Sequence, residues 1–257
     1  MSTQAIGIDI GGTGIKGAIV DLDSGKLVTD RFKVPTPDGG KPDDIIDQVV
    51  KMIDGMGSAA NGLPVGVCFP AVVIHGRTMS AANVSKKWIG LDAEKLFEKS
   101  LKRDITFVND ADAAGVAEVR YGAAKDRGGL VILTTLGTGI GSALIYNGIL
   151  VPNSELGHLE VDGHDAESRA AYSAKERDNL DWEHWAKRLQ RYYDVVETLF
   201  SPDLIIVGGG VSKNADQFLP MLKLRPEIVP AAMKNNAGIV GAAALALQPP
   251  ATEQVSN

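Results

Sequence analysis

The sequence predicts an α/β protein made of two related lobes, and three observations carry that expectation. Short apolar, β-branched runs alternate with segments of helical period. A glycine-rich hairpin in "AIGIDIGGTGIKGAIVD" has a counterpart in "GLVILTTLGTGIGSALIY". Gly12-Thr13-Gly14-Ile15 and Gly137-Thr138-Gly139-Ile140 stand 125 residues apart, and each follows an apolar run and leads into a second strand.

Taken in order, Ala5 to Ile10 is the first strand, followed by the glycine turn and the β-branched "IKGAIVDLDSGKLV". That segment reads as strand, turn at Asp23-Ser24-Gly25-Lys26, strand. "KPDDIIDQVVKMIDGM" is the first helix, with Ile45, Ile46, Val49, Ile53 and Met56 on one face. Ile105 to Val108 is a short strand running into Asn109-Asp110 and an alanine-rich helix. "LDWEHWAKRLQRYYDVVETLF" is a long helix with Trp185, Leu189, Tyr192, Val196 and Leu199 on a core or subunit-contact stripe. "PDLIIVGGGVS" is a buried strand ending in Gly208-Gly209-Gly210, and "AGIVGAAALAL" a compact apolar helix. The expected lobes are residues 1–108, completed by the helix 236–248, and residues 109–235, with a disordered tail 249–257. The boundary lies near Val108 to Gly115.

A chain of 257 residues, 44% apolar and 23% charged, has the profile of a soluble globular protein. Its 26 basic and 32 acidic residues give a net charge of −6, which argues against nucleic-acid binding by phosphate neutralisation. The one cysteine, Cys68 in "PVGVCFPAVV", excludes an internal disulfide or a zinc site of several thiolates and reads as a buried small hydrophobe. With no long apolar run and no leader-like start, the expectation is cytoplasmic, with no membrane partner.

The first glycine turn fits G-x-G-x-x-G, but a dinucleotide fingerprint needs a helix after the glycines, and strand follows here. The Walker pattern also fails, because Ala18 follows Gly17. What remains is a hairpin whose backbone N–H groups can cradle an anion, against the alternative of an ordinary tight turn. Asp9, just before the glycines, is placed to hold Mg²⁺ directly or through water, and Lys16 to meet a phosphate. Asp110 is either the N-cap of its helix or a general base at a strand's carboxyl end. Asn109 either binds a hydroxyl or shapes the turn. "ELGHLEVDGHDAE" collects Glu155, His158, Glu160, Asp162, His164, Asp165 and Glu167. Metal binding, recognition of a polyol and a solvated acidic loop all remain open for it.

Six ordered segments, "GIDIGGTGIKGAIVD", "VNDADAAGVAE", "LTTLGTGIGSALIYNG", "ELGHLEVD", "DLIIVGGGVS" and "NAGIVGAAALA", resemble the sugar kinases of the ROK family from Ala5 to Leu247. The resemblance implies the two-lobed actin/hexokinase-like (ribonuclease H-like) fold with a cleft between lobes. It makes Asp110 the catalytic base and Asn109, Asn83, Glu155 and His158 sugar ligands, with Glu167 the further sugar-binding glutamate. Gly11, Gly12, Thr13 and Gly14 match one phosphate loop and Gly137, Thr138 and Gly139 the other. Gly208, Gly209 and Gly210 match the loop beside the nucleotide or the terminal donor phosphates. Many members carry a zinc-binding cysteine cluster after Glu-x-x-His, and this chain has none, so no structural zinc is expected and His158 must be oriented by another partner.

The short zinc-free chain is similar to the actinobacterial polyphosphate glucokinases, including those that also use ATP and phosphorylate mannose. The activity this implies is Mg²⁺-dependent transfer of a phosphoryl group from polyphosphate or ATP to the 6-hydroxyl of glucose, with mannose a further acceptor, by a homodimer. Lobe closure would exclude water. Candidate tracks for the polyanion are Lys86-Lys87, Lys125 with Arg127, and Lys187-Arg188 with Arg191. Two alternatives share the motifs: an ATP-only ROK hexose or N-acetylhexosamine kinase, and a non-catalytic sugar sensor. The sensor would need a DNA-binding segment before the first strand, where only four residues precede Ala5.

Overall fold

The computed structural model describes residues 3–247; Gln248 and the 249–257 tail lie outside them. Two compact units form, one from the chain up to Ala117 and from Gly238 onward, the other from Glu118–Ala237.

In the first unit β1 (Gln4–Ile10) turns back into β2 (Gly14–Asp21), with Ile10 paired to Ile15. The short β3 (Lys26–Leu27) and β4 (Phe32–Pro35) both pair antiparallel with β2. Helix α1 (Pro42–Gly55) starts at a proline with Asp43 and Asp44 in its first turn, where a fixed φ and the helix dipole favour them. It buries Ile45, Ile46, Val49 and Ile53, as the apolar spacing requires, and Met56 is buried at its C-cap. β5 (Val65–Phe69) runs parallel to β1, and β8 (Thr106–Asn109) parallel to β5. Between them lie the hairpin of β6 (Val73–Ile74) and β7 (Arg77–Thr78) and helix α2 (Ala93–Leu101). Helix α3 (Asp110–Tyr121) follows β8, and the chain leaves the first unit inside it.

The second unit repeats the plan. β9 (Leu130–Leu136) turns into β10 (Ile140–Tyr146), which pairs with β11 (Ile149–Val151). A small hairpin, β12 (Glu160–Val161) and β13 (His164–Asp165), precedes the helices α4 (Glu167–Ala170), α5 (Tyr172–Arg177) and α6 (Trp182–Phe200). β14 (Leu204–Gly208) and β15 (Glu227–Pro230) complete a sheet ordered β11-β10-β9-β14-β15, matching β3-β2-β1-β5-β8 strand for strand in direction. β5 and β14 are buried at every residue, the signature of parallel strands covered on both faces.

α6 is capped by Asp181, whose carboxylate accepts the His184 N–H at 2.8 Å. Trp185, Leu189, Tyr192 and Val196 are buried as the stripe predicts, each worth about 1.5–3 kcal/mol. Leu199 departs from it and is 60% exposed, because the stripe continues from Val196 to Phe200, which packs against the core in its place. The chain ends its described course in α7 (Ala237–Leu245), which belongs to the first unit from Gly238 on. A Cβ on Gly7 of β1 or Gly66 of β5 would overlap the carbonyl oxygens of Ile239 and Ala242, so α7 lies directly on those two strands. Its Ile239, Val240, Ala242, Ala243 and Ala244 are fully buried, as an all-apolar helix should be. Among the described residues no helix is long and apolar enough to cross a membrane.

Candidate active site

The first glycine turn closes the β1–β2 hairpin, and its Gly12 and Thr13 are exposed. The Gly11 N–H donates to Gly14 O at 3.0 Å, and Thr36 Oγ1 donates to Gly11 O at 2.5 Å. A Cβ on Gly12 would lie 2.8 Å from Asn83 Cβ and 2.9 Å from Asn83 O. Glycine therefore lets the Asn83 loop sit on the turn, and Asn83 itself is exposed there. Opposed across the hairpin, Asp9 and Lys16 pair through Nζ and Oδ2 at 2.9 Å.

Behind Asp9 lies Cys68, directly across from it on β5. Its Sγ is 3.7 Å from Asp9 Oδ1 and 3.6 Å from Gly238 O. Burial, and then the Asp9 and Asp110 carboxylates, push the thiol well above its ordinary pKa, so it stays protonated and inert. The same strand alignment sets Val108 of β8 level with Cys68, and Asp110 two residues further on. Asp9 thus stands at the carboxyl end of β1 and Asp110 just past that of β8, with β5 between the two strands.

The cap of α3 is Asn109, not Asp110. Asn109 Oδ1 accepts the N–H groups of Ala111 (2.8 Å) and Asp112 (3.0 Å), and its Nδ2 donates to Ala71 O at 3.0 Å. Asn109 is 7% exposed, and its side-chain oxygen is committed to the helix. Asp110 is the first residue of α3 and half-buried; its Oδ1 also accepts the Ala111 N–H at 2.8 Å.

In the second unit Gly137, Thr138 and Gly139 close the β9–β10 hairpin, and Thr138 is exposed. Ser173 holds this turn, its N–H donating to Gly137 O at 3.0 Å and its Oγ to Thr138 O at 2.6 Å. Glu167 holds it too: Oε2 accepts the Ile140 N–H at 3.0 Å, and a Cβ on Gly139 would overlap that oxygen. Gly208, Gly209 and Gly210 lie alongside, because β14 pairs with β9 up to Gly208 and Thr135. Gly209, at φ 81°, packs against Leu136, and Gly209 and Gly210 are exposed. Two runs of backbone N–H groups are therefore neighbours at one end of this sheet, an arrangement suited to anions.

Glu155 and His158 bracket the single 3₁₀ turn Leu156–His158. Gly157 is no obstacle to it, since a Cβ there would collide with Ile140 O. Burial lifts the Glu155 pKa, with His158 opposing and Glu167 reinforcing the shift, which places the three groups within electrostatic reach of one another. The orienting partner of His158 is Asp165, whose Oδ2 stands 2.8 Å from Nδ1. An ionised carboxylate only accepts, so Nδ1 carries the proton and Nε2 is left to face a ligand. That hydrogen bond, against a smaller effect of burial, raises the His158 pKa. His158, Asp165 and Glu167 offer ligand atoms all within 4.8 Å of one another. The sequence reading placed Asp165 in an acidic cluster without a role; Ser173 it missed, because its contacts are to backbone atoms that no motif reports.

Asp9 presents the single carboxylate that a hydrated, phosphate-bound Mg²⁺ commonly uses. It fits that ion through a water, since Lys16 occupies Oδ2. Among the basic tracks, Arg127 pairs with Glu227, Lys187 with Glu183 at 2.9 Å, Arg188 with Asp178 at 2.6 Å and Arg191 with Asp162 at 2.8 Å. Lys86, Lys87 and Lys125 are exposed and form no ion pair among the described residues.

Comparison with known proteins adds the following. The ROK family model matches residues 5–176. The polyphosphate glucokinase of Mycobacterium tuberculosis is 50% identical over 241 residues, 93% of this chain and 90% of that protein. The crystal structure of the inorganic polyphosphate/ATP-glucomannokinase from Arthrobacter sp. strain KM is 54% identical, with a TM-score of 0.90 over 95% of this chain and 98% of the other. The ROK family glucokinase from Streptomyces griseus, solved with glucose and AMPPNP, shares the fold at a TM-score of 0.81 and 24% identity, covering 96% and 100% of the two chains.

Proposed function

The chain belongs to the ROK family of the actin/hexokinase-like fold, and on that premise we propose that it phosphorylates glucose, and mannose as well, at the 6-hydroxyl. Inorganic polyphosphate and ATP are the donors. The observation that carries this reading is identity of half or more, across nearly the whole chain, with relatives named for that reaction. The geometry supports it residue by residue.

Asp110 accepts the proton of the sugar hydroxyl as that oxygen bonds to the terminal phosphorus and the bond to the bridging oxygen breaks. Two features support this role: Asn109 does the capping, and Asp110 stands at a strand's carboxyl end. Glu155, His158 and Glu167 hold sugar hydroxyls, Glu167 through the oxygen not engaged by Ile140 N–H. Asn83 contributes from its loop on the first turn, and Asn109 through its remaining amide proton. The turns Gly11–Gly14 and Gly137–Gly139 and the Gly208–Gly210 loop offer N–H groups to phosphate oxygens, and Lys16 adds a cation. Mg²⁺, reached from Asp9, supplies charge neutralisation on the donor when bound. A cytoplasmic homodimer completes the reading, checked by light scattering of the purified protein.

The test is a Mg²⁺-dependent glucose phosphorylation assay, run separately with ATP and with nucleotide-free polyphosphate. Formation of glucose 6-phosphate with both donors is the expected result. Activity with ATP alone would replace the donor assignment, and silence with both across several hexoses would overturn the reading.

A further inference from the structure

Resting on the polyphosphate reading above, we propose that Lys33, Lys86 and Lys87 form a binding surface for the polyphosphate chain beyond its terminal phosphoryl, beside the Gly11–Gly14 turn. A linear polyphosphate carries negative charge at every link. A protein of net charge −6 can hold it only where cations are locally uncompensated.

Ion pairing separates the candidates. The guanidinium and ammonium groups of Arg127, Lys187, Arg188 and Arg191 each already face a carboxylate. Lys125 has no ion pair among the described residues but sits in sequence beside Asp126 and the Arg127–Glu227 pair, away from either glycine turn in sequence and register. Lys86 and Lys87 remain, and the fold ties them to the first turn. They lie on a 3₁₀ turn, Lys86–Trp88, anchored by the buried Trp88, whose Nε1–H donates to Gly40 O at 2.9 Å. The Ser85 N–H donates to the same carbonyl at 3.2 Å. Asn83, three residues before Lys86, rests on Gly12. Lys33 comes to the same turn from β4, which sets Pro35 opposite Gly14. Lys33 Cε is 3.8 Å from where a Cβ on Gly14 would stand, and the residue is exposed and without an ion pair among the described residues.

Three ammonium groups without an ion pair among the described residues therefore sit on the two segments that abut one phosphate turn. The second turn has no such lysines beside it but the Glu167 carboxylate lodged against Gly139, so it offers its N–H groups to the terminal phosphates rather than a track for the chain beyond them. ATP continues into a nucleoside rather than further phosphates, so it does not engage the lysines, and the surface distinguishes the two donors.

The test compares wild type with the Lys33→Gln/Lys86→Gln/Lys87→Gln variant on long-chain polyphosphate, tripolyphosphate and ATP. The KM for long chains is expected to rise about tenfold or more, with a flatter dependence on salt, while the KM for ATP stays within about twofold. Tripolyphosphate, too short to span the surface, is expected to lose less. An unchanged KM for long chains in a wild type that uses polyphosphate would overturn the surface alone. An equal rise in a Lys187→Gln/Arg191→Gln variant would also overturn it, as a general charge effect. Wild-type protein active with ATP and inert with polyphosphate would overturn the donor reading and the surface together.

Discussion

The Gly11–Gly14 turn of the first unit and the Gly137–Gly139 turn of the second close hairpins of the same design, in sheets of the same strand order. What surrounds them is different. The first is overlaid by backbone, the Asn83 loop, with Lys16 and Lys33 on its strands and Lys86 and Lys87 a few residues beyond Asn83. The second is gripped by side chains, Glu167 and Ser173, from the segment that follows Glu155 and His158. Strand ends diverge likewise: β8 delivers Asn109 and Asp110, whereas β14 delivers Gly208-Gly209-Gly210. Two copies of a sheet thus supply the same backbone N–H groups, and the added segments decide which copy carries the proposed proton acceptor Asp110 and which the proposed sugar ligands Glu155, His158 and Glu167.

The comparison breaks most sharply at Asp110. Asp110→Asn should lower kcat by about 100-fold or more while glucose binding, followed by calorimetry, persists; near-normal turnover would move the base elsewhere. The two turns should then differ in their tolerance of a methyl group. Gly12→Ala pushes against Asn83 backbone, which cannot rotate away, at a cost of about 1–3 kcal/mol and at least a tenfold loss of activity. Gly139→Ala meets the end of the Glu167 side chain, so a thermal melt should stay closer to wild type while the glucose KM rises. Equal melting temperatures and equal kinetics for the two variants would erase the distinction.

At the sugar-side segment, Asp165→Ala should raise the glucose KM about tenfold, and Asp165→Asn less, because an amide oxygen still accepts from Nδ1–H. NMR titration should show the His158 pKa falling in the alanine variant, since Asp165 is the largest cause of its elevation. The smallest effect concerns pH. Glu155 accepts from a hydroxyl more strongly when ionised, and burial raises its pKa. The acid limb of kcat/KM for glucose should therefore lie above the ordinary glutamate range of about 4.3, activity being lost as pH falls through it. In Glu155→Gln the part of that limb owed to Glu155 should be lost, leaving the one set by the general base.

Local patterning made much of this legible in the chain. The repeated Gly-Thr-Gly-Ile turns, the buried strand before Gly208 and the face of α1 follow from short-range periodicity and appear where it places them. Of the two readings open for Asp110, the cap belongs instead to Asn109, one residue earlier. Asp and Asn both suit a cap, and only the end of β8 at Asn109 decides between them. Neither Asp165 as the partner of His158 nor the neutralised state of Arg188 and Arg191 could be read, because such pairings depend on how separate segments return to each other. Arg191 finds Asp162 across 29 positions.

The placement of α7 bears on the order in which the chain can fold as it is synthesised. The first unit is discontinuous: α7, which lies on β1 and β5, is translated only after the whole of Glu118–Ala237. At ~5–20 residues per second, those roughly 120 residues delay it by about 6 to 24 seconds. For that interval the α7 side of β1 and β5 lacks its cover, while the second unit, contiguous in sequence, is the first to have all its parts. Nascent chains arrested before Gly238 are accordingly the species most exposed to aggregation and most in need of a chaperone.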